Sequence, residues 1–346
     1  MALPGTVKID LALQGGGAHG AFTWGVLDRL LEEEWLDIDG ISGTSAGAMN
    51  AAVLACGYAA DGAPGARVAL ERFWRQVSAA ASLSPFRRGP WDVLLGRWTL
   101  DQSPLFLAFD LAARVFSPYD FQSGQSNPLR NILSQQINFE ALRKSPIRLF
   151  ITATNVRTGL ARIFRNEDLS ADALLASACL PTMYKAVRID GEDYWDGGYT
   201  GNPTVTPLVR ECESHDTILV QINPVERTGT PRSAREILNR LNEISFNSPL
   251  LKELRMIALL RQSLSADAGE NRADLETYRW AQMRIHRITS TRMTELGSSS
   301  KLNAEWAFLT LLRDEGRAAA SLFLEQHGAD IGQRSSFDLN QLLEAW

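Results

Sequence analysis

Gly43-Thr44-Ser45-Ala46-Gly47 sets a serine between two glycines, with an apolar strand pattern before it and a small-residue helix pattern after it. A G-x-S-x-G turn between strand and helix is where a nucleophilic serine is projected above a sheet. Gly43 and Gly47 relieve crowding at such a turn, and the Ala46 N–H at the helix start can assist a developing oxyanion. Five residues alone match by chance, and a helix-capping serine would look the same. The surrounding sequence has to raise the specificity.

It does so at Gln14-Gly15-Gly16-Gly17-Ala18-His19-Gly20, between a predicted strand and a predicted helix. Gly15, Gly17 and Gly20 satisfy G-x-G-x-x-G, the pattern that lets backbone approach a dinucleotide pyrophosphate at a helix N-terminus. That use calls for an acidic residue at the end of the second strand. Here Asp37 and Asp39 come too early, and the strand ends in Ser42-Gly43-Thr44-Ser45. The same unhindered amides can hold any anion, including the oxyanion of acyl transfer. The candidate donors are Gly15, Gly16, Gly17 and Ala18, with Gly20 supporting the turn.

A serine hydroxyl needs a base to take its proton. The chain has 4 histidines: His19, His215, His286 and His327. His215 follows Asp196, which meets the Ser-Asp-His chain order of a triad. It lies, however, in the polar stretch Glu211-Cys212-Glu213-Ser214-His215-Asp216, which predicts a surface turn. His19 is expected to shape or cap the glycine loop, and His286 and His327 to be structural. The other candidate is Asp196, in Tyr194-Trp195-Asp196-Gly197-Gly198. A free aspartate, with a pKa of about 3.9, is a poor base at neutral pH. Burial beside aromatics would raise it. Read alone, the tripeptide favours an ordinary Asp-Gly turn.

The elements that must position these residues are predicted as follows. Val7 to Leu13 and Ile38 to Ser42 read as buried strands, and Ala18 to Glu34 and Ala46 to Cys56 as helices. Strand, turn, helix, repeated twice, argues for a parallel sheet with helices on its faces. Residues from Phe73 to Phe121, with Trp74, Trp91 and Trp98, read as an insertion of short helices and loops over the sheet edge. Regularity returns with a strand at Arg148 to Thr154, a hairpin partner at Leu160 to Phe164, and a helix at Ala171 to Cys179. Strands ending at Tyr194-Trp195 and running from Thr217 to Ile222 follow. Beyond Pro231 the pattern is helical, from Ala234 to Leu264 with a break near Pro249 and from Asn303 to Gln326, with one last strand at Arg284 to Thr289.

Composition bounds the function. A net charge of −5 and the absence of a Lys/Arg block give nucleic acid no electrostatic footprint. Cys56, Cys179 and Cys212 match no zinc or redox spacing and suit a reducing compartment. No signal peptide and no apolar run of about 18 residues is present. The expectation is a cytoplasmic protein, peripheral at a membrane at most, with no metal or cofactor. Nothing in the sequence specifies an oligomeric state.

Taken together, these residues resemble the patatin-like phospholipases. The glycine loop Gly15 to Gly20, the elbow Gly43 to Gly47 and the Asp196-Gly197-Gly198 motif stand in that family's order. Ala176-Ser177-Ala178-Cys179-Leu180-Pro181 is similar to its alanine/serine-rich helix end. Where many members carry Arg or Lys, this chain has His19. The resemblance spans residues 9–209. It implies a three-layer α/β/α domain (residues 1–225) with a mostly parallel sheet, followed by a mainly helical extension (226–346). It also implies a Ser-Asp dyad without histidine: Ser45 as nucleophile, Asp196 as proton acceptor, and glycine-loop amides holding the oxyanion. The expected substrates are acyl esters of lipids, in phospholipase A or lysophospholipase fashion. The alternatives carried forward are a Ser-His-Asp esterase or thioesterase using His215, and a non-enzymatic nucleotide-binding or interaction module using the glycine loop. The 73–121 insertion is expected to be either a lid or interfacial contact, or an aromatic-filled core segment.

Overall fold

The computed structural model describes residues 5–82, 88–101, 103–113, 115–120, 127–266 and 275–344. In chain order the elements that matter are β1 (Val7–Leu13), α1 (Gly20–Leu30), β2 (Leu36–Gly43), α2 (Ala46–Ala81), β3 (Arg148–Asn155), β4 (Ala161–Phe164) and α3 (Ala171–Ser177). They continue with β5 (Val187–Ile189), β6 (Glu192–Asp196), α4 (Thr206–Glu211), β7 (Asp216–Val220), α5 (Ala234–Ala266), β8 (Arg284–Ile288) and α6 (Trp306–His327).

One 8-stranded sheet runs β5-β6-β3-β2-β1-β7-β8, with β4 added beside β3. The strands from β3 to β8 in that order are parallel, whereas β4, β5 and β6 pair antiparallel. The parallel strands are near-continuous apolar runs because both faces of the sheet are covered. Leu11, Leu13, Ile41 and Ile151 pack with α1, α2, α3 and α6 on one face. Ala12, Phe150 and Leu219 pack with α4 and α5 on the other. The three-layer α/β/α arrangement is therefore present, and residues beyond 226 build part of both outer layers and the edge strand β8.

Several elements differ from the sequence pattern for physical reasons. The loop before α1 first makes a tight turn at Gly17–His19, so α1 starts at Gly20. Helix α2 does not stop at Gly57; it runs to a break at Asp61 and Gly62, where Gly62 has φ 57, and then continues to Ala81. Helix α5 carries Pro249 inside it without a break. Proline costs a helix roughly 3 kcal/mol, and burial of Leu250, Leu254 and Ile257 on the same helix offsets that cost. Helix α1 is apolar on nearly every side because it lies between the sheet and α6, where Gly25 meets the Arg313 backbone and Gly316 meets that of Phe22.

The insertion docks on the C-terminal region and also reaches the sheet edge, where the Tyr119 hydroxyl accepts from the Ala186 N–H just before β5 at 3.0 Å. Trp98 stacks on Phe308 at 5.1 Å, Arg88 pairs with Glu305, and Thr99 hydrogen-bonds Ser299. Trp74 is buried, with its Nε1 donating to Asn50 Oδ1. The Trp91 side chain and residues 83–87, 102, 114 and 121, within the 73–121 stretch, lie outside the described residues.

Candidate active site

The sheet register brings Ser45 and Asp196 together. Ile151 on β3 pairs with Gly43 of β2 on one side and with Phe164 of β4 on the other. Two residues later Ala153 pairs with β4 again and with Asp196 of β6. β6 therefore occupies the same side of β3 as β2 and continues where β2 stops. The C-terminal ends of the two strands abut, and the Ser45 turn leaves one while Asp196 closes the other. Hydroxyls fasten the junction. Thr44 Oγ1 donates to the Gly201 carbonyl at 2.7 Å, and Ser42 Oγ donates to that of Thr204 at 2.6 Å.

Ser45 has φ 54 and ψ −120, a left-handed backbone that a non-glycine residue adopts only when its surroundings impose it. It is half-buried at the N-terminus of α2, and its N–H donates to Ser177 Oγ at 2.9 Å. The close approach at this turn is why Gly47 is needed, since a Cβ there would collide with the Leu13 carbonyl.

Asp196 is 1% exposed. Its carboxylate accepts from the Gly198 N–H at 2.7 Å. Its own backbone is held at both ends, N–H to the Cys179 carbonyl at 2.8 Å and C=O from Thr154 Oγ1 at 2.8 Å. Burial drives its pKa up to about 7; the Gly198 amide, the Ser45 hydroxyl and the Lys301 charge hold it from going higher. The sequence expectation for Asp196 was burial with a raised pKa, and this is the environment found.

The glycine loop lies against the serine, since a Cβ on Gly15 would sit 2.7 Å from that of Ser45. The Gly15 N–H is already used: it donates to Asn202 Oδ1 at 2.7 Å. Gly17 has φ 59, and the close approach it permits is taken by the Lys301 carbonyl, where a dinucleotide would need its pyrophosphate. Gly16 is faced by Ile222 and Gly20 by Ala46 and Trp74. Gly197 fits against the Thr152 carbonyl and Thr44, and Gly198 against the Phe246 ring.

His19 does tie the loop down, through a residue that the sequence did not single out. Its Nε2 is 2.8 Å from Ser300 Oγ, whose own hydroxyl donates to the Gly297 carbonyl at 2.6 Å. Ser300 thus has its proton committed, so the hydrogen on His19 sits at Nε2. Burial, then the charges of Lys301 and Arg227, hold the His19 pKa well below its usual value and keep the ring neutral. His215 is not brought to the site. It precedes β7, whose opposite end, Val220, is level with Leu13 and hence with Gly43. The triad reading fails on that geometry. His286 is buried in the middle of β8, level with Ile218, with its Nε2 3.1 Å from Asp216.

The polar framework around the loop was not legible in the sequence. Gln14 Oε1 accepts the N–H groups of Ile222 and Asn223, and its Nε2 donates to Asn247 Oδ1 at 3.1 Å. Asn223 Nδ2 donates to the Gly15 carbonyl, and Lys301 Nζ to Asn223 Oδ1, each at 2.7 Å. These partners come from four separate segments, and no local spacing links them.

The family model described as patatin-like phospholipase matches residues 11–209. The chain belongs to the patatin-like phospholipase family. The family generally comprises serine hydrolases acting on lipid esters. An uncharacterized protein, YjjU, from Escherichia coli (strain K12) is 28% identical over 243 residues, which is 69% of this chain; the chain spans 58% of that relative's length. Among solved structures, VipD from Legionella pneumophila is similar over 90% of this chain and 67% of its own, at 16% identity and a TM-score of 0.32. In this patatin-like chain, no helix among the described residues is long and apolar enough to cross a membrane.

Proposed function

We propose that the protein is a lipid acyl hydrolase, of phospholipase A or lysophospholipase type, working through a Ser45–Asp196 dyad. The observation that carries this reading is the strained Ser45 turn facing a buried aspartate whose pKa has risen to about 7. An aspartate so tuned can accept a proton near neutrality, where a solvated one cannot.

In the first half-reaction Ser45 Oγ attacks the ester carbonyl while Asp196 takes its proton. The tetrahedral oxyanion turns toward the glycine loop. Because the Gly15 amide is committed to Asn202, the donors reduce to Gly16, Gly17 and Ala18, with Ala46 at the start of α2. Collapse expels the alcohol, which recovers the proton from Asp196. Water then attacks the acyl-enzyme, gives its proton to Asp196, and Ser45 leaves with that proton.

Lipid access draws on the insertion. Leu94, Leu105, Leu111 and Val115 are more than half exposed there, from 58% to 74%. Exposed apolar groups of this kind mark contact sites, and the reading takes them as a peripheral lipid contact. Sedimentation with vesicles, comparing wild type with Leu94→Asp/Leu111→Asp, tests that part; equal binding removes it. The main test is a panel of lipid esters with Ser45→Ala as the blank, together with fluorophosphonate labelling. Hydrolysis and labelling that both vanish in Ser45→Ala are expected. Hydrolysis that survives in Ser45→Ala overturns the assignment, and a protein that neither labels nor hydrolyses is a binding module.

A further inference from the structure

Lys301 is a half-buried cation to which the dyad chemistry gives no task. It sits in the Ser298–Leu302 turn, beyond the residues that the family model matches. Nζ donates to Asn223 Oδ1 at 2.7 Å, and Asn223 Nδ2 donates to the Gly15 carbonyl at 2.7 Å. The orientation of the Asn223 amide is dictated by its partners. An ammonium has only hydrogens to offer, so it must face the oxygen. The amide nitrogen then faces two acceptors, the Gly15 carbonyl and Gln14 Oε1, the latter at 3.3 Å.

The Gly15 carbonyl shares one conjugated peptide plane with the Gly16 N–H. A donor on that carbonyl draws electron density away from the nitrogen and strengthens the N–H as a donor. The three dipoles are aligned head to tail: ammonium into the Asn223 oxygen, Asn223 hydrogen into the Gly15 oxygen, Gly16 hydrogen outward. Hydrogen bonds in such chains polarise one another in the same sense. The chain of contacts also ends where negative charge would develop on the substrate.

We propose that Lys301 and Asn223 form a relay that polarises the Gly15–Gly16 peptide toward the oxyanion, which makes Lys301 a positioning residue for the reaction. The proposal rests on the Ser45–Asp196 reading. It also explains how a chain with neutral His19 in the glycine loop keeps a positive charge behind that loop. Burial lowers the ammonium's pKa, Glu243 attracts it, Arg227 repels it, Asp196 attracts it, and His19 contributes no charge.

The experiment uses the full chain and a soluble short-chain ester. Lys301→Met is expected to lower kcat roughly tenfold or more, less than the 10²–10³ typical of removing an oxyanion donor outright, with KM little changed. Lys301→Arg should recover part of the loss. The Lys301 charge holds the Asp196 pKa down, so its removal should move the acid limb of the kcat/KM profile to higher pH. The Gly16 amide ¹⁵N resonance should move upfield. Should Lys301→Met not fold, Asn223→Asp reads the same relay, because it keeps a partner for Lys301 and deletes the donor to Gly15. A folded Lys301→Met or Asn223→Asp protein with wild-type kcat, acid limb and Gly16 resonance overturns the relay. If instead the wild type neither hydrolyses the ester nor labels at Ser45, the dyad reading has failed first.

Discussion

At the C-terminal ends of the parallel strands a buried carboxylate, Asp196, stands beside a hydroxyl, Ser45, proposed as the nucleophile, and a half-buried cation, Lys301. Mid-sheet under α4 the same three ingredients recur. Asp10, Cys212 and Asp39 have their side-chain atoms within 4.8 Å of one another, and Arg148 pairs with Asp39 at 2.7 Å. Burial pushes Asp10 up to about 8, as it pushes Asp196 up to about 7, and it raises the Cys212 thiol well above its usual range. The second cluster nevertheless has no elbow and no glycine loop, and Cys212 is 1% exposed where Ser45 is half-buried. A raised pKa therefore reports burial in both places. Access, a strained turn and unhindered amides are what separate a site from a packing arrangement.

Replacing each aspartate should separate the two regions most sharply. Asp196→Asn removes the proposed proton acceptor and should cost roughly 10³–10⁴-fold in kcat, the scale of disabling a triad member. Asp10→Asn replaces a carboxyl already protonated at pH 6, so kcat at that pH should stay near wild type. Steady-state hydrolysis of a soluble ester by both variants checks the pair. Comparable losses in the two would dissolve the distinction.

The pH dependence of activity and of stability separates them again. In the proposed dyad activity needs ionised Asp196, so kcat/KM should climb as pH rises through about 7 and then level off. Stability should run the other way. Asp10 in the folded chain keeps its proton up to about pH 8, whereas the unfolded chain loses it near pH 4. The folded state binds more protons between those values, so its contribution is full below pH 4, falls as pH rises and is gone above pH 8. At about 1.4 kcal/mol per unit, the Asp10 share is of the order of several kcal/mol. Urea unfolding at pH 5 and pH 8 should show a smaller drop for Asp10→Asn than for wild type. Equal drops would mean that Asp10 is ionised in the folded protein.

The proposed pair, Ser45 and Asp196, could be picked out in the sequence because its signals are local. Ser45 and Asp196 each sit in a glycine-rich tripeptide or pentapeptide at a strand end, and the apolar runs of β1, β2, β3 and β7 place those ends on one side of a sheet. Their support was not legible. Lys301, Ser300, Asn247 and Asn223 meet the glycine loop only through the packing of α5, α6 and β8, and their spacing in the chain carries no period. The extent of α2 and the unbroken α5 were missed for a related reason. Gly57 and Pro249 are local stop signals, and burial on the sheet outweighs them.

The smallest effect expected comes from His215, and it closes the triad question. Sheet register sets Val220 level with Leu13 and Gly43, next to the serine turn. His215 precedes the other end of β7, so at about 3.3 Å per residue it lies roughly 16 Å back along the strand. It faces a cavity of about 1040 Å³ shared with Lys8, Trp35 and Arg284, and burial with the Arg284 and Arg279 charges lowers its pKa. A ring so placed cannot reach Ser45 without unpairing β7 from β1. His215→Ala should keep kcat/KM within about twofold of wild type, the span of a substitution away from a site. It should also leave the limb near pH 7 where it is, since that limb belongs to Asp196. A loss as large as that of Asp196→Asn would require a chain arrangement in which β7 does not pair in this register.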